Sequence, residues 1–226
     1  MKNILCIIPI RSNSKGLKNK NILKFNNKPL VVNTTECAIN SKIFKDIVIA
    51  YDSEYYKKII KKYTNHKTLN FFKRSKKSSY AQSPSEIIIN EVLDKFKNYD
   101  LIYLMQTTSQ FTKPYDLVNS LKKFKHSKLD CMFSAYSTKK FFWIKKKNIC
   151  LPINYNIKKR PMRQKNKKYV CENGAFYIFK KNGFIKYKNR MFGKVGYFEF
   201  PEYRSIEIDN LNDLKVAKNI LKLNFS

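Results

Sequence analysis

The sequence predicts an α/β fold, a three-layer α/β/α Rossmann-like sandwich around a mostly parallel sheet. Three observations point there. Short continuous apolar runs (residues 3–9, 47–50, 69–72, 101–105 and 131–135) read as strands covered on both faces. Segments with helical spacing separate them. The strand-helix alternation then implies right-handed βαβ units.

The elements follow in order. Residues 3–9 form the first strand, and a polar loop runs from Ile10 to Lys28 without helical period. Pro29 opens a helix with Leu30, Thr34, Cys37 and Ala38 on one face. Residues 47–50 are a strand, 53–63 a helix and 69–72 a strand. The helix over 85–96 carries Ile88, Val92 and Phe96 at four-residue spacing, and Pro114 starts another after the strand at 101–105. Strand character appears at 131–135 and returns at 174–179, and 210–223 is a closing amphipathic helix. Between them, from about 139 to 170, the chain is basic, aromatic at Phe141, Phe142 and Trp143, and without period. It reads as an arm inserted into a single domain covering residues 1–226, with exposed aromatics suited to a second subunit.

Composition sets limits. The 226 residues are 43% hydrophobic and 15% aromatic, enough for a sizeable core. No apolar run reaches the roughly 20 residues that span a bilayer. The N-terminal apolar stretch is cut short by Pro9, Arg11 and Lys15, so it reads as a strand rather than a leader. Five scattered cysteines without a Cys-x-x-Cys pair suggest neither disulfides nor zinc, hence a reducing cytoplasm. The net charge of +31 invites a nucleic-acid reading. However, it is overwhelmingly lysine, spread along the chain, beside abundant Asn, Ile, Tyr and Phe, as an AT-rich coding sequence produces. Bidentate base readout favours arginine, so a specific nucleic-acid partner is not expected. His66 and His126 sit in lysine-rich segments and read as surface residues.

Sites in such folds form where loops leave the carboxyl ends of strands. The loop after the first strand offers Arg11, Lys15 and Lys20 as cations and Ser12, Asn13, Ser14 and backbone N–H groups as neutral donors. That suits a polyphosphate, although a solvated basic loop would look the same by charge alone. It lacks the Walker A spacing. Late in the chain, Glu207 and Asp209 are two residues apart, and on a strand they would share a face and could converge on one hard cation. Alternatively, Asp209 caps the helix that begins near Asn210.

The pattern Arg11-x-Asn13-Ser14-Lys15-Gly16-Leu17 with Lys20-Asn21 resembles the N-terminal signature of the acylneuraminate cytidylyltransferases, the CMP-sialic acid synthetases. The resemblance continues in order through Pro29-Leu30, residues 49–53, Arg74-Ser75, Ser85-Glu86 and residues 104–109. It then takes in Arg163-Gln164, residues 172–178, and 205–209 with Asp213-Leu214. It implies a cytidylyltransferase that joins CTP to an acidic nine-carbon sugar with Mg2+ as cofactor. Arg11, Ser14, Lys15, Lys20, Asn21, Arg74 and Ser85 would bind the nucleotide. Gln106, Arg163, Gln164, Asn173 and Tyr177 would take the sugar, and Glu207 and Asp209 the metal. Arg11, Lys20, Gln106 and Asp209 would carry the catalysis, and a homodimer is expected. Departures fall on the sugar side, where Ala81, Thr107 and Cys171 stand in place of the usual residues. The alternatives are another acid sugar of the 3-deoxy-octulosonic type, or a silent basic RNA-binding or scaffold protein on the same fold.

Overall fold

A computed structural model describes residues 3–13 and 16–223. The first strand, β1 (Ile4–Pro9), lies centrally in a seven-stranded sheet. Its residues alternate between two cores. Ile4, Cys6 and Ile8 face one cluster, and Leu5 and Ile7 face the other. Both faces are therefore dry, which explains the unbroken apolar run.

The polar loop after β1 holds structure the sequence does not announce. Residues Lys24–Phe25 (β2) and Lys28–Pro29 (β3) pair antiparallel across Asn26 and Asn27, both at positive φ. Helix α1 (Leu30–Ser41) follows, then β4 (Asp46–Tyr51), α2 (Glu54–Tyr63) and β5 (Leu69–Lys73). A short α3 (Lys76–Ser79) leads to α4 (Ser85–Lys95), which stops one residue before Phe96, and then to β6 (Leu101–Met105). Pro114 takes the first position of α5 (Pro114–His126), and Asp116 accepts from the Lys113 N–H at 2.8 Å. Strands β7 (Cys131–Thr138) and β10 (Tyr169–Lys180) enclose the hairpin β8 (Trp143–Lys146) and β9 (Ile149–Pro152). The chain ends through α6 (Lys181–Tyr187), the edge strand β11 (Val195–Glu199) and α7 (Leu211–Lys222). Among the described residues no helix is long and apolar enough to cross a membrane.

The sheet order is β11-β7-β10-β6-β1-β4-β5. Strand β1 runs parallel to both β4 and β6, whereas β10 is antiparallel to β6 and β7. Helices α1, α2 and α5 contribute Val31, Tyr56, Ile60 and Leu117 to one core, and α4 and α6 contribute Ile88, Val92 and Phe184 to the other. These are the three expected layers. Order reverses beside β1, between connections that lead to β4 and to β6, and this reversal opens a crevice at the strands' carboxyl ends.

The segment between β7 and β10 is internally organised. Asn154 accepts from the Phe142 N–H and donates to the Lys140 carbonyl, both at 2.9 Å. Trp143 packs edge-on to Tyr155 with centroids 5.5 Å apart, as expected for an aromatic that stiffens the arm. Strand β8 and most of β9 are exposed.

A buried ion pair fixes the route of the last segment. Arg204 and Asp116 are 7% and 4% exposed at their side chains and pair directly. Arg204 also donates from Nε and Nη2 to the Phe111 carbonyl, at 3.1 and 2.8 Å, and its cation faces the Phe200 ring at 5.1 Å. Replacing Arg204 with Met would leave the Asp116 charge buried without a cation. Arg204→Met should therefore cost about 3–5 kcal/mol in urea-unfolding free energy, and an intact midpoint would count against the brace.

Candidate active site

The crevice holds a cavity of about 440 Å³ lined by Arg11, Lys20, Asn21, Arg74, Gln106 and Asp209, among others. Ser85 and Ile88, from the first turn of α4, close one wall, and Gly16 and the 81–83 segment complete it. Residues from the start, middle and end of the sequence thus meet in one place.

Each wall is held by identifiable contacts. Asp52, at the end of β4, accepts from the Ser12 N–H at 2.9 Å and from its hydroxyl at 3.2 Å, pinning the loop after β1. Tyr56 donates to Asn19 Oδ1 at 3.1 Å farther along that loop. Asn21, 4% exposed, donates to the Arg11 carbonyl at 2.7 Å and accepts from the Thr107 hydroxyl at 2.6 Å. Asn21 thereby ties the loops after β1 and β6 together. Glu91 accepts from the hydroxyls of Ser75 and Ser78 and steadies the turn after β5. Burial would raise the Glu91 carboxyl, but these bonds hold it below its ordinary value.

The two arginines lean on weak acceptors, and Lys20 on a carboxylate. Arg11 donates to the Ala81 carbonyl. Arg74 donates to the carbonyls of Ile10 and Ser78, and its buried Nε has no partner among the described residues. Lys20, with 18% of its side chain exposed, meets Asp209 Oδ1 at 2.7 Å. Neutral carbonyls are readily exchanged for phosphate oxygens, which bind guanidinium more strongly. Ser14 and Lys15 lie outside the described residues.

Asp209 lines the cavity and its charge acts on Glu207, but neither residue is on a strand. Residues 205–209 are irregular and are joined to the β6 loop by the Ile208 N–H donating to the Thr108 carbonyl at 3.0 Å. Alternation nonetheless survives, with Ile208 buried between Glu207 and Asp209. Asp209 is not the helix cap. Asn210 accepts from the N–H groups of Asn212 and Asp213, and Asp213 answers by accepting from the Asn210 N–H. Burial, reinforced by the charge of Asp209, raises the Glu207 carboxyl above its ordinary range, while Lys20 opposes the shift. Glu207 and Asp209 are hard oxygen donors, the kind of side chain that would hold Mg2+. No cluster of three or more metal-binding side chains occurs among the described residues.

Glu207 rests on a bulge. The pairing of β10 with β7 shifts register between Glu172 and Tyr177, and Gly174 within it has φ +62°. A Cβ on Gly174 would lie 2.4 Å from Glu207 Oε2.

The expected sugar residues do not meet in one place. Gln106 faces the cavity, its N–H donating to the Ala175 carbonyl at 3.2 Å. Asn173 is 1% exposed and its amide is committed to Ser205 Oγ and the Ala175 N–H, so it shapes the bulge rather than facing the cavity. Tyr177 donates to Glu172 at 2.8 Å, and burial, with Glu172, pushes its phenol up to about 12. Arg163 and Gln164 line a separate cavity with Ser137, Thr138, Lys139 and Glu202, because the arm carries them away from β6. Sequence spacing gave no role to Asp52, although an acid directly after an apolar strand was its signal. Arg190, which contacts Tyr177, had no signal at all.

A strand-order reversal facing loop cations and paired late carboxylates defines a nucleotide-handling α/β protein. A family model described as Cytidylyltransferase matches residues 5–224, and the chain belongs to that family. It is 27% identical to the N-acylneuraminate cytidylyltransferase of Escherichia coli over 96% of its own length, spanning about half (52%) of that relative. It is also 27% identical to the pseudaminic acid cytidylyltransferase of Campylobacter jejuni, covering 99% of this chain and 98% of that one. Among solved structures, a CMP:2-keto-3-deoxy-manno-octonic acid synthetase complexed with CTP superimposes with a TM-score of 0.73 at 13% identity, covering 99% and 100% of the two chains. That likeness speaks for the fold alone.

The bulge makes a direct test. Gly174→Ala adds about 1–3 kcal/mol of backbone strain and must displace the Glu207 carboxylate. CTP turnover should fall about a hundredfold while the melting temperature drops only a few degrees. Unchanged turnover would remove the Glu207–Gly174 contact from the site.

Proposed function

We propose that the chain is a cytoplasmic, metal-dependent cytidylyltransferase that joins CTP to an acidic nine-carbon sugar, sialic acid or a related nonulosonic acid, releasing pyrophosphate. The observation that carries this reading is the shared cavity of Arg11, Lys20, Gln106 and Asp209 at the strand-order reversal. The sialic and pseudaminic acid enzymes among the relatives support the substrate class.

In this reading the sugar's anomeric hydroxyl attacks the α-phosphorus of CTP. The new P–O bond forms as the bond to the bridging oxygen of pyrophosphate breaks, and the hydroxyl proton passes to solvent or a carboxylate. Arg11, Lys15 and Lys20 offset charge on the attacked phosphate and the departing pyrophosphate. Arg74 and Ser85 hold the nucleoside, and Asn21 keeps the two loops in register beside it. Gln106 orients the hydroxyl. Mg2+ held by Glu207 and Asp209 would withdraw charge from the phosphates as a Lewis acid. Exposed Trp143 (41%), Ile149 (60%) and Ile153 (62%) on the arm support a two-fold dimer. A monomer by light scattering would discard it.

Purified protein with CTP, Mg2+ and a panel of sialic, pseudaminic, legionaminic and 3-deoxy-octulosonic acids should form a CMP-sugar with one nonulosonic acid. Asp209→Asn should lower that rate by about three orders of magnitude or more. Normal turnover would remove Asp209 from the site. Tight RNA binding at moderate salt without turnover would favour a silent nucleic-acid protein instead.

A further inference from the structure

The chain has six arginines, and five have evident employment. Arg11 and Arg74 line the nucleotide cavity. Arg160 lies 4.4 Å from the Phe141 ring centroid within the arm, and Arg163 lines the separate arm cavity. Arg204 is the buried brace to Asp116. Arg190 remains, in the loop between α6 and β11.

Arg190 is held in place before any ligand arrives. Its guanidinium carbon sits 4.6 Å from the Tyr177 ring centroid, and Nη1 pairs with Glu86 in the first turn of α4. Its Nε is buried without a partner among the described residues. Glu86 follows Ser85, which lines the cavity. Tyr177 reaches Glu172, whose charge is felt by Glu207. The series Glu86–Arg190–Tyr177–Glu172 therefore links the cavity wall at Ser85 to the bulge beneath Glu207. Glu86 and Glu172 alone would repel an acidic substrate from this border. Arg190 is the cation set between them.

We infer that Arg190 recognises the carboxylate of the acid sugar and so sets specificity for the second substrate. The inference rests on the acid-sugar reading above. A guanidinium has five N–H donors in a planar fork, and one ion pair leaves donors for a second carboxylate. The Tyr177 ring and Glu86 fix the fork's plane, so little rotamer freedom is lost on binding.

Steady-state kinetics with both substrates test this, using the best acid sugar and its methyl ester. Arg190→Gln should raise KM for the acid about tenfold or more, with KM for CTP changed less than about twofold, and should erase the preference for acid over ester. Arg190→Lys, which keeps the charge but not the fork, should recover part of that preference. An unchanged sugar KM overturns the proposal. So does an equal loss on acid and ester with a lowered melting temperature, which would make Arg190 a brace for its loop. If the unmodified protein binds CTP yet releases no pyrophosphate with any acid sugar, the acid-sugar reading itself fails, an outcome visible before any variant is made.

Discussion

The site depends on a small apolar cluster set apart from the two main cores. Leu17 and Phe25 from the loop after β1 pack with Leu30 at the start of α1, and with Ile208 and Ala217 from the end of the chain. Gly16 lies so close that a Cβ there would approach the Asp209 carbonyl to 2.6 Å. This contact brings Lys20 within 2.7 Å of Asp209, a partner 189 residues away in sequence. An exposed ion pair contributes little by itself and cannot close so long a loop. Apolar burial closes it, and the ion pair then reports the register. The Arg204–Asp116 brace works toward the same end by fixing where the last segment leaves the sheet.

Once the ends are joined, the balance of charge in the cavity follows from what each cation has at hand. Arg11 and Arg74 are partnered by backbone carbonyls, acceptors that carry no net charge. Their positive charge is thus oriented by neutral acceptors, and at Arg74 burial opposes it while the Asp52 carboxylate supports it. That is the condition under which a charged ligand gains most, because the reorganisation has occurred during folding. Lys20 differs, since it shares Asp209, and Asp209 in turn stands beside the half-buried Glu207. One side of the cavity therefore presents guanidinium held by backbone carbonyls, and the other presents the Lys20–Asp209 pair.

Much of this architecture could be read from residue order, and the failures have physical causes. Strands buried on both faces, such as Leu101–Met105, carry enough apolar signal to be found to the residue. Edge strand β11 is exposed or half-buried along its length, so Val195–Glu199 lacks both signals. The two-residue ribbon at Lys24–Pro29 and the seven-residue α6 are too short for any period to show. Within the cavity lining, Arg74, Ser85 and Gln106 immediately follow or begin regular elements, whereas Asn21 lies mid-loop and is singled out by the resemblance alone. Arg163 and Gln164 line a different cavity of this chain, because nothing local fixes the direction an inserted arm takes. Residues 205–209 form no strand, yet Ile206 and Ile208 both pack on the small apolar cluster, which turns Glu207 and Asp209 away from it.

The net charge of +31 shows why composition and site must be argued separately. Spread over the surface, lysine charge is screened within about 10 Å at ordinary salt and selects nothing beyond anions in general. What distinguishes Lys20 from the solvated majority is that its side chain is 18% exposed and aimed at a specific carboxylate. Arg74 and Arg190 are set apart by buried Nε groups that have no hydrogen-bond partner among the described residues. Desolvation makes a few cations in this chain strong and directional, and burial rather than abundance identifies them. The same reasoning explains why arginine, scarce overall, recurs around the cavity: a planar, delocalised charge tolerates partial burial that would push an ammonium toward its neutral form.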